Sequence, residues 1–67
     1  MISENNIFDV GAFDGLDGLI LAIQNPNIMV HAFEANPDLI KVIKNNKYEI
    51  KKKKKIEIKN YRVNNNA

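Results

Sequence analysis

Apolar and polar positions divide this chain into short apolar runs and longer stretches with helical spacing. Ile7–Val10 is an apolar run with one acid in it, and it stops at a glycine. A second run, Ile28–Phe33, stops at Glu34. Short continuous apolar runs are typical of parallel strands that are covered on both faces. The pattern therefore predicts strands over these two ranges and leaves residues 1–6 as a polar lead-in.

The stretch between the two strands has the period of an amphipathic helix. Its large apolar residues recur at positions i, i+3, i+4 and i+7, and they are Leu16, Leu19, Ile20 and Ile23. This spacing predicts that all four face the core. Asp14 is the predicted cap of the helix, Asp17 lies in its first turn, where the helix dipole favours an acid, and Pro26 marks its end.

A second helix is predicted after the second strand. Asn36 is a favoured N-cap residue, and Pro37 suits the first helical position. The predicted inward face consists of Leu39, Val42, Ile43 and Asn46. Asn45 and Asn46 predict the end of the helix. Residues 47–55, which include five consecutive lysines, are therefore a predicted basic loop.

The C-terminal part of the chain admits two predictions. Ile56 and Ile58 alternate with charged residues, which predicts a third strand over Ile56–Val63. The alternative is a hairpin that pairs Tyr48–Ile50 with Ile56–Ile58. We disfavour the hairpin because five lysines make a poor tight turn.

The predicted element order, β-α-β-α-β, defines an α/β fold. Two successive right-handed crossovers place three parallel strands in the order 3-2-1 and put both helices on one face. Such a sheet is the N-terminal half of a doubly wound, Rossmann-like domain, because parallel sheets are normally covered on both faces. We therefore expect residues 1–67 to form a single partial domain. Its first strand is expected at an open edge, through which chains can self-associate.

Composition narrows the class of protein further. The chain has 67 residues and no cysteine, which excludes disulfides and cysteine-bound metals. It has no apolar run of ~18 residues and no basic, apolar leader, so we expect a cytoplasmic protein without a membrane partner. Residues 1–38 contain six acids and no Lys or Arg, whereas residues 39–67 contain ten Lys and Arg against two acids. We attribute this split to a compositional bias toward Asn, Ile and Lys.

The turn after the first strand and the acid after the second carry the candidate chemistry. Gly11 ends the first strand, and Glu34 follows 23 residues later, near the ~20 expected between a glycine turn and a ribose-binding acid. The dinucleotide fingerprint needs glycines where this chain has Phe13 and Leu16, and no phosphate-binding Gly-Lys-Ser/Thr is present. A zwitterionic adenosyl ligand without phosphates fits better, because it needs few glycines and two acids.

Two blocks of the sequence resemble the FkbM-type family of S-adenosylmethionine-dependent methyltransferases. The blocks are Phe8–Gly15 and His31–Pro37, and Ile58–Asn64 is similar to the strand that follows in the family. The chain departs from the family pattern at Phe13, Ala35 and Arg62, where asparagine, proline and alanine are usual. The resemblance implies a class I methyltransferase that transfers a methyl group to a hydroxyl of a small molecule or sugar.

The resemblance also implies which residues bind the cofactor, S-adenosylmethionine: Asp9, Gly11, Ala12, Gly15 and Glu34. The glycines would let the backbone approach the methionyl part of the cofactor. Asp9 would organise the loop or meet the ammonium through water, and Glu34 would accept hydrogen bonds from the ribose hydroxyls. No catalytic residue and no metal ligand is assigned. We expect the fragment alone to be inactive.

Two other functions compete with this prediction. The first is an NAD-type nucleotide-binding fragment, which the missing glycines disfavour. The second is a small basic module that binds nucleic acid through Lys51–Lys55 and Arg62. Aromatic residues are not interleaved with these charges, and no recognisable motif is present. We therefore expect nucleic-acid binding to be weak.

Overall fold

The computed structural model describes residues 2–3 and 5–65 of the chain. Its elements are β1 (Ile2–Ser3), β2 (Asn6–Val10), α1 (Leu16–Gln24), β3 (Met29–Phe33), α2 (Pro37–Lys54) and β4 (Tyr61–Asn64). The predicted α/β class, with three parallel strands and two connecting helices, is confirmed. Neither helix in the described part of the chain is long and apolar enough to span a membrane.

A single sheet joins all four strands in the order β1-β2-β3-β4. β2, β3 and β4 are parallel to one another, and β1 is antiparallel to β2. The parallel strands are thus ordered 1-2-3 from the β1 edge, whereas the prediction gave 3-2-1. Both orders place the second parallel strand, β3, between the other two.

The edge of the sheet next to β2 differs from the prediction. Ile2–Ser3 pairs with Asn6 and Ile7, so the predicted open edge of the first strand is partly covered. The predicted lead-in over residues 1–6 is therefore wrong where it meets β1 and the start of β2. Of its remaining positions, Asn5 is a turn residue, and Met1 and Glu4 lie outside the described residues.

Helix α1 is rotated relative to the predicted orientation. Its buried residues are Gly18, Leu19 and Ala22, and Leu16 and Ile20, which were predicted to face the core, are exposed. The small residues let the helix lie close to the sheet: a Cβ added to Gly18 would lie only 3.4 Å from a methyl group of Val30. The pattern of large apolar residues missed this face because glycine and alanine contribute little to it.

Helix α2 begins as predicted. The side-chain oxygen of its N-cap residue Asn36 accepts a hydrogen bond from the Asp38 N–H at 2.9 Å, and Pro37 is the first helical residue. The helix then continues to Lys54. The predicted basic loop over residues 47–55 and the alternative hairpin are therefore both wrong. Lysine is a good helix former, and lysines in the last turn are favoured by the helix dipole.

Contacts of the inward face explain why α2 does not stop at its asparagine pair. Ile43 is fully buried, and Ile50, two turns later, packs against the same core. Asn46 Nδ2 donates to the Asp14 carbonyl at 2.8 Å, so this amide links α2 to the β2–α1 connection. Val42, which was predicted to face inward, is exposed. The helix ends where Lys55 takes a left-handed conformation with φ 55°.

The third parallel strand is shorter than predicted. β4 spans Tyr61–Asn64, and the residues before it are irregular. Ile58 is nevertheless buried, and Ile56 packs against the core. The core itself lies between the sheet and the two helices and contains Leu19, Ala22, Val30, Ala32, Ile43, Ile58 and Tyr61.

The opposite face of the sheet carries a group of stacked rings. The Phe8 ring stacks on His31, with 5.0 Å between ring centroids, and on Phe33, with 6.3 Å. His31 Nε2 and Asn6 Oδ1 are 2.7 Å apart, a hydrogen bond on the same face. Both described helices lie on the other side, in contact with each other, as the two right-handed crossovers predict.

Candidate functional site

The candidate site lies where β2 and β3 end. Gly11–Gly15 connects β2 to α1, and we call it the glycine loop. The N–H groups of Gly11 and Ala12 both donate to the Phe33 carbonyl, at 2.8 and 3.1 Å. Within the loop, the Gly15 N–H donates to the Ala12 carbonyl at 2.9 Å. The last residue of β3 thus fixes the first half of the loop, as expected of parallel strands that end at one edge.

The Glu34 side chain fixes the second half of the loop. Its Oε1 accepts a hydrogen bond from the Phe13 N–H at 2.9 Å, and its Oε2 accepts one from the Asn36 N–H at 3.1 Å. The residue is only 9% exposed. These hydrogen bonds, from Asn36 first and then Phe13, lower the pKa of Glu34 below its ordinary value, although burial opposes them. Glu34 therefore ties the glycine loop to the turn after β3.

Glu34 makes the stability of the fold depend on pH. Because its folded-state pKa lies below the ordinary 4.5, the charged carboxylate stabilises the fold above that pH, and this stabilisation is lost as the pH falls through the folded-state pKa. We therefore expect Glu34→Gln to flatten the acid side of a plot of melting temperature against pH. Circular-dichroism melts between about pH 3 and pH 7 measure this dependence.

Glu49→Gln is the matched control for this prediction. It removes an exposed carboxylate from α2 and should leave the acid side of the plot as steep as in the unmodified chain. Equal flattening by both variants would contradict the assigned role of Glu34.

The two glycines of the loop occupy different surroundings. Both have positive φ, 71° at Gly11 and 76° at Gly15, a conformation that favours glycine. A Cβ on Gly11 would meet no atom of the described residues within 4 Å, whereas one on Gly15 would lie 2.8 Å from both Ile43 Cγ2 and Tyr61 Oη. The missing side chain of Gly15 is thus explained by packing against α2 and β4. Gly11 is the glycine with open space in front of it.

Asp9 and Ala12 lie on the inner side of the loop. Ala12 is buried in the core. Asp9 is half-buried, and its Oδ2 lies 3.1 Å from the position of a Cβ on Gly18, beneath α1. Burial first, and then the charge of Asp17, raise the pKa of Asp9. Asp14, the predicted helix cap, precedes the N-cap residue Gly15, and its Oδ1 accepts a hydrogen bond from the Leu16 N–H at 3.1 Å.

Two residues of the site were not assigned from the sequence. Phe13 has φ 58°, a rare conformation for a bulky residue, and its side chain is 63% exposed. In the family that the sequence resembles, asparagine is usual at this position, and asparagine tolerates a positive φ. That preference could have indicated the conformation of Phe13. Tyr61 is buried, and its hydroxyl has no hydrogen-bond partner among the described residues. Burial and the charges of Asp9 and Asp14 raise the pKa of Tyr61 to about 12.

Comparison with protein-family models, with curated proteins and with solved structures finds no match for this chain. The resemblance to a methyltransferase family therefore rests on the sequence alone.

Proposed function

We propose that this chain forms the S-adenosylmethionine-binding part of a methyltransferase that acts on a hydroxyl of a small molecule or sugar. The observation that carries the proposal is the hydrogen bond from Phe13 to Glu34 beside Gly11. It holds an acid and an open glycine backbone together at the carboxyl ends of two adjacent parallel strands. Ligands of open α/β sheets bind at this edge.

The charges at this edge favour a cationic or zwitterionic ligand over a phosphate. Asp14 and Asp17 lie at the N-terminal end of α1. Helix N-termini commonly bind anions, but these two acids repel a phosphate there. Residues 1–38 contribute no Lys or Arg that could offset them. S-adenosylmethionine suits these charges because it carries a sulfonium and an ammonium, and the sulfonium supplies the methyl group. The same charges disfavour NAD, whose two phosphates are anionic.

Each residue of the site has its own role in binding the ligand. Gly11 gives the ligand close access to the backbone, since no atom of the described part of the chain lies within 4 Å of the place that a side chain would take. Glu34 is the acceptor for the ribose hydroxyls: a carboxylate has about four lone-pair sites, and backbone N–H groups of the loop and turn use only part of them. Ala12 and Gly15 shape the loop from within, and Asp9 adds negative charge beneath it. We assign no catalytic residue.

Ligand titration followed by backbone amide chemical shifts tests this function. With S-adenosylmethionine or S-adenosylhomocysteine, we expect the shifts to concentrate at Gly11–Phe13 and Ala35–Asn36, with an affinity no tighter than millimolar. NAD at equal concentration should leave these amides unchanged. Equal responses to both ligands, or no response at these amides, would overturn the proposal.

Gly11→Ala is the sharpest variant for this titration. Its Cβ enters the open space in front of the loop without meeting another atom of residues 2–3 or 5–65, so the variant should fold. We expect it to lose the shifts caused by S-adenosylmethionine. A variant with the spectrum of the folded protein and an undiminished response would show that the ligand does not approach Gly11.

A further inference from the structure

One side of α2 carries a row of lysines around a tyrosine. Its members are spaced i, i+3, i+7, i+10, i+11 and i+14, and we call them the lysine stripe: Lys41, Lys44, Tyr48, Lys51, Lys52 and Lys55. At 3.6 residues per turn, these positions fall on one side of the helix. All except the half-buried Lys51 are exposed. The inward face of the helix, with Ile43 and Ile50, lies on another side and packs in the core.

Tyr48 lies in the middle of the lysine stripe and is 60% exposed, so core packing does not explain its position. Lys52 Nζ lies 5.9 Å from the centroid of its ring, within the range of a cation–π contact. A groove beside the ring is lined by Tyr48, Lys55 and Ile56. The stripe therefore combines an accessible aromatic face with cations on both sides of it.

The two ends of the stripe each border a groove. Lys41 and Lys44 line one together with Val63 and Asn64 of β4, and Tyr48 and Lys55 line the other. From Lys41 to Lys55 the helix rises ~21 Å at 1.5 Å per residue. A basic stripe of this length can contact more than one phosphate of the same strand.

Little of this positive charge is neutralised within the protein. The ion pair found among the described residues joins Lys51 Nζ to Glu57 Oε2 at 3.7 Å, and the Glu57 side chain is largely exposed. At an exposed site such a pair is weak. The stripe is therefore complementary to a polyanion.

We propose that the lysine stripe binds single-stranded nucleic acid, with lysines contacting phosphates and Tyr48 stacking on a base. Single-strand sites characteristically combine a basic groove with an exposed aromatic platform. The sequence led us to expect weak binding because we predicted that the lysines form a loop without an interleaved aromatic residue. In the structure most of these lysines belong to a helix, and Tyr48 lies among those of the stripe. A membrane surface fits less well, because membrane-bound helices insert an apolar face, and that face of α2 is in the core.

Fluorescence anisotropy with a labelled oligothymidylate of about ten nucleotides tests the site on the full chain. We expect a dissociation constant of roughly 1–100 µM, the range of non-specific sites. The logarithm of the association constant should fall with the logarithm of salt concentration with a slope of about −3, for the four exposed lysines of the stripe at ~0.7 each. Tyr48→Ala should lower the affinity about fivefold or more and leave the slope unchanged, because stacking is not ionic.

Two double variants that remove the same amount of charge distinguish binding at the stripe from attraction to the overall positive charge of the protein. Lys44→Gln with Lys52→Gln should reduce the magnitude of the slope by ~1.4. Lys53→Gln with Lys59→Gln, which removes two exposed lysines outside the stripe, should change it less. Circular dichroism confirms that each variant is folded.

Equal effects of the two double variants, or no effect of Tyr48→Ala, would overturn the proposal in favour of unspecific attraction. Binding of duplex DNA, polyglutamate or anionic vesicles as tight as that of the oligothymidylate would also overturn it. Each of these outcomes would show that a single strand is not what the stripe selects.

Discussion

Replacing Gly15 with alanine should unfold most of the protein, whereas the same change at Gly11 should be tolerated. Both positions have nearly equal positive φ, so both variants carry the backbone cost of about 1–2 kcal/mol for a left-handed residue. Only at Gly15 would the new methyl group lie 2.8 Å from Ile43 Cγ2 and Tyr61 Oη. Overpacking of that kind adds about 1–3 kcal/mol.

The total for Gly15→Ala, roughly 2–5 kcal/mol, is comparable to the upper limit of ~3–5 kcal/mol for the stability that a core of this size supplies. Urea denaturation followed by circular dichroism measures both variants. Tyr61→Phe offers a second check, because it removes one of the two crowding atoms. In that background Gly15→Ala should cost less. Equal midpoints for Gly15→Ala and Gly11→Ala would contradict the packing described for the loop.

Much of the fold was predictable because strong local signals coincide with it. The apolar runs that end at Val10 and Phe33 form the two central strands, and Asn36 followed by Pro37 begins a helix because both residues satisfy its first turn. The meeting of the glycine loop with Glu34 was also predictable, since parallel strands end at one edge. These features depend on residues that are close in sequence or on simple topology.

The features that were mispredicted depend on tertiary packing. The orientation of α1 is set by Gly18 and Ala22, whose small size matters only once the helix lies on the sheet. The end of α2 is set at Lys55 without a glycine. Ile50 supports the extra turns because it reaches the core. No local signal in the lysine run reports such a contact.

The candidate site likewise combines features that local sequence predicts with features that depend on tertiary packing. A carboxyl group at the end of β3 was predicted, but its hydrogen bonds to Phe13 and Asn36 depend on the loop conformation. The prediction treated Glu34 as a ligand contact, whereas its carboxylate also fixes the conformation of the loop through these hydrogen bonds. The Tyr61 hydroxyl has no hydrogen-bond partner in the described part of the chain. No pattern in the sequence signals this, because it depends on how closely Gly15 packs.

The Asn60 side chain should be the polar group whose loss costs the most stability. The two hydrogens of its Nδ2 are shared among the carbonyls of Ala22, Asn25 and Ile28, which lie 2.8, 3.0 and 2.8 Å away. The Ala22 carbonyl needs this donor, because its helical partner would be the N–H of Pro26, and proline has none. Asn60 thus joins the end of α1 and the turn after it to the start of β4.

Asn60→Ala should lower the free energy of unfolding by about 2 kcal/mol, at roughly 1 kcal/mol for each of the two N–H groups of the amide. Asn60→Asp should cost more at neutral pH, since its carboxylate has no donor and places negative charge against three carbonyl oxygens. This arrangement raises the pKa of the introduced carboxyl, so the loss should shrink as the pH falls and the group becomes protonated. The pH-dependent recovery distinguishes charge repulsion from simple misfolding.

Asn25→Asp is the matched control for this prediction. Asn25 Nδ2 makes one exposed hydrogen bond, to the Leu21 carbonyl at 2.9 Å, and that carbonyl also accepts the Asn25 N–H. The same chemical change there should therefore cost about 1 kcal/mol or less. Urea titrations at about pH 4 and pH 7 measure all three variants. If Asn60→Asp is no less stable than Asn25→Asp, the three carbonyls do not depend on the Asn60 amide.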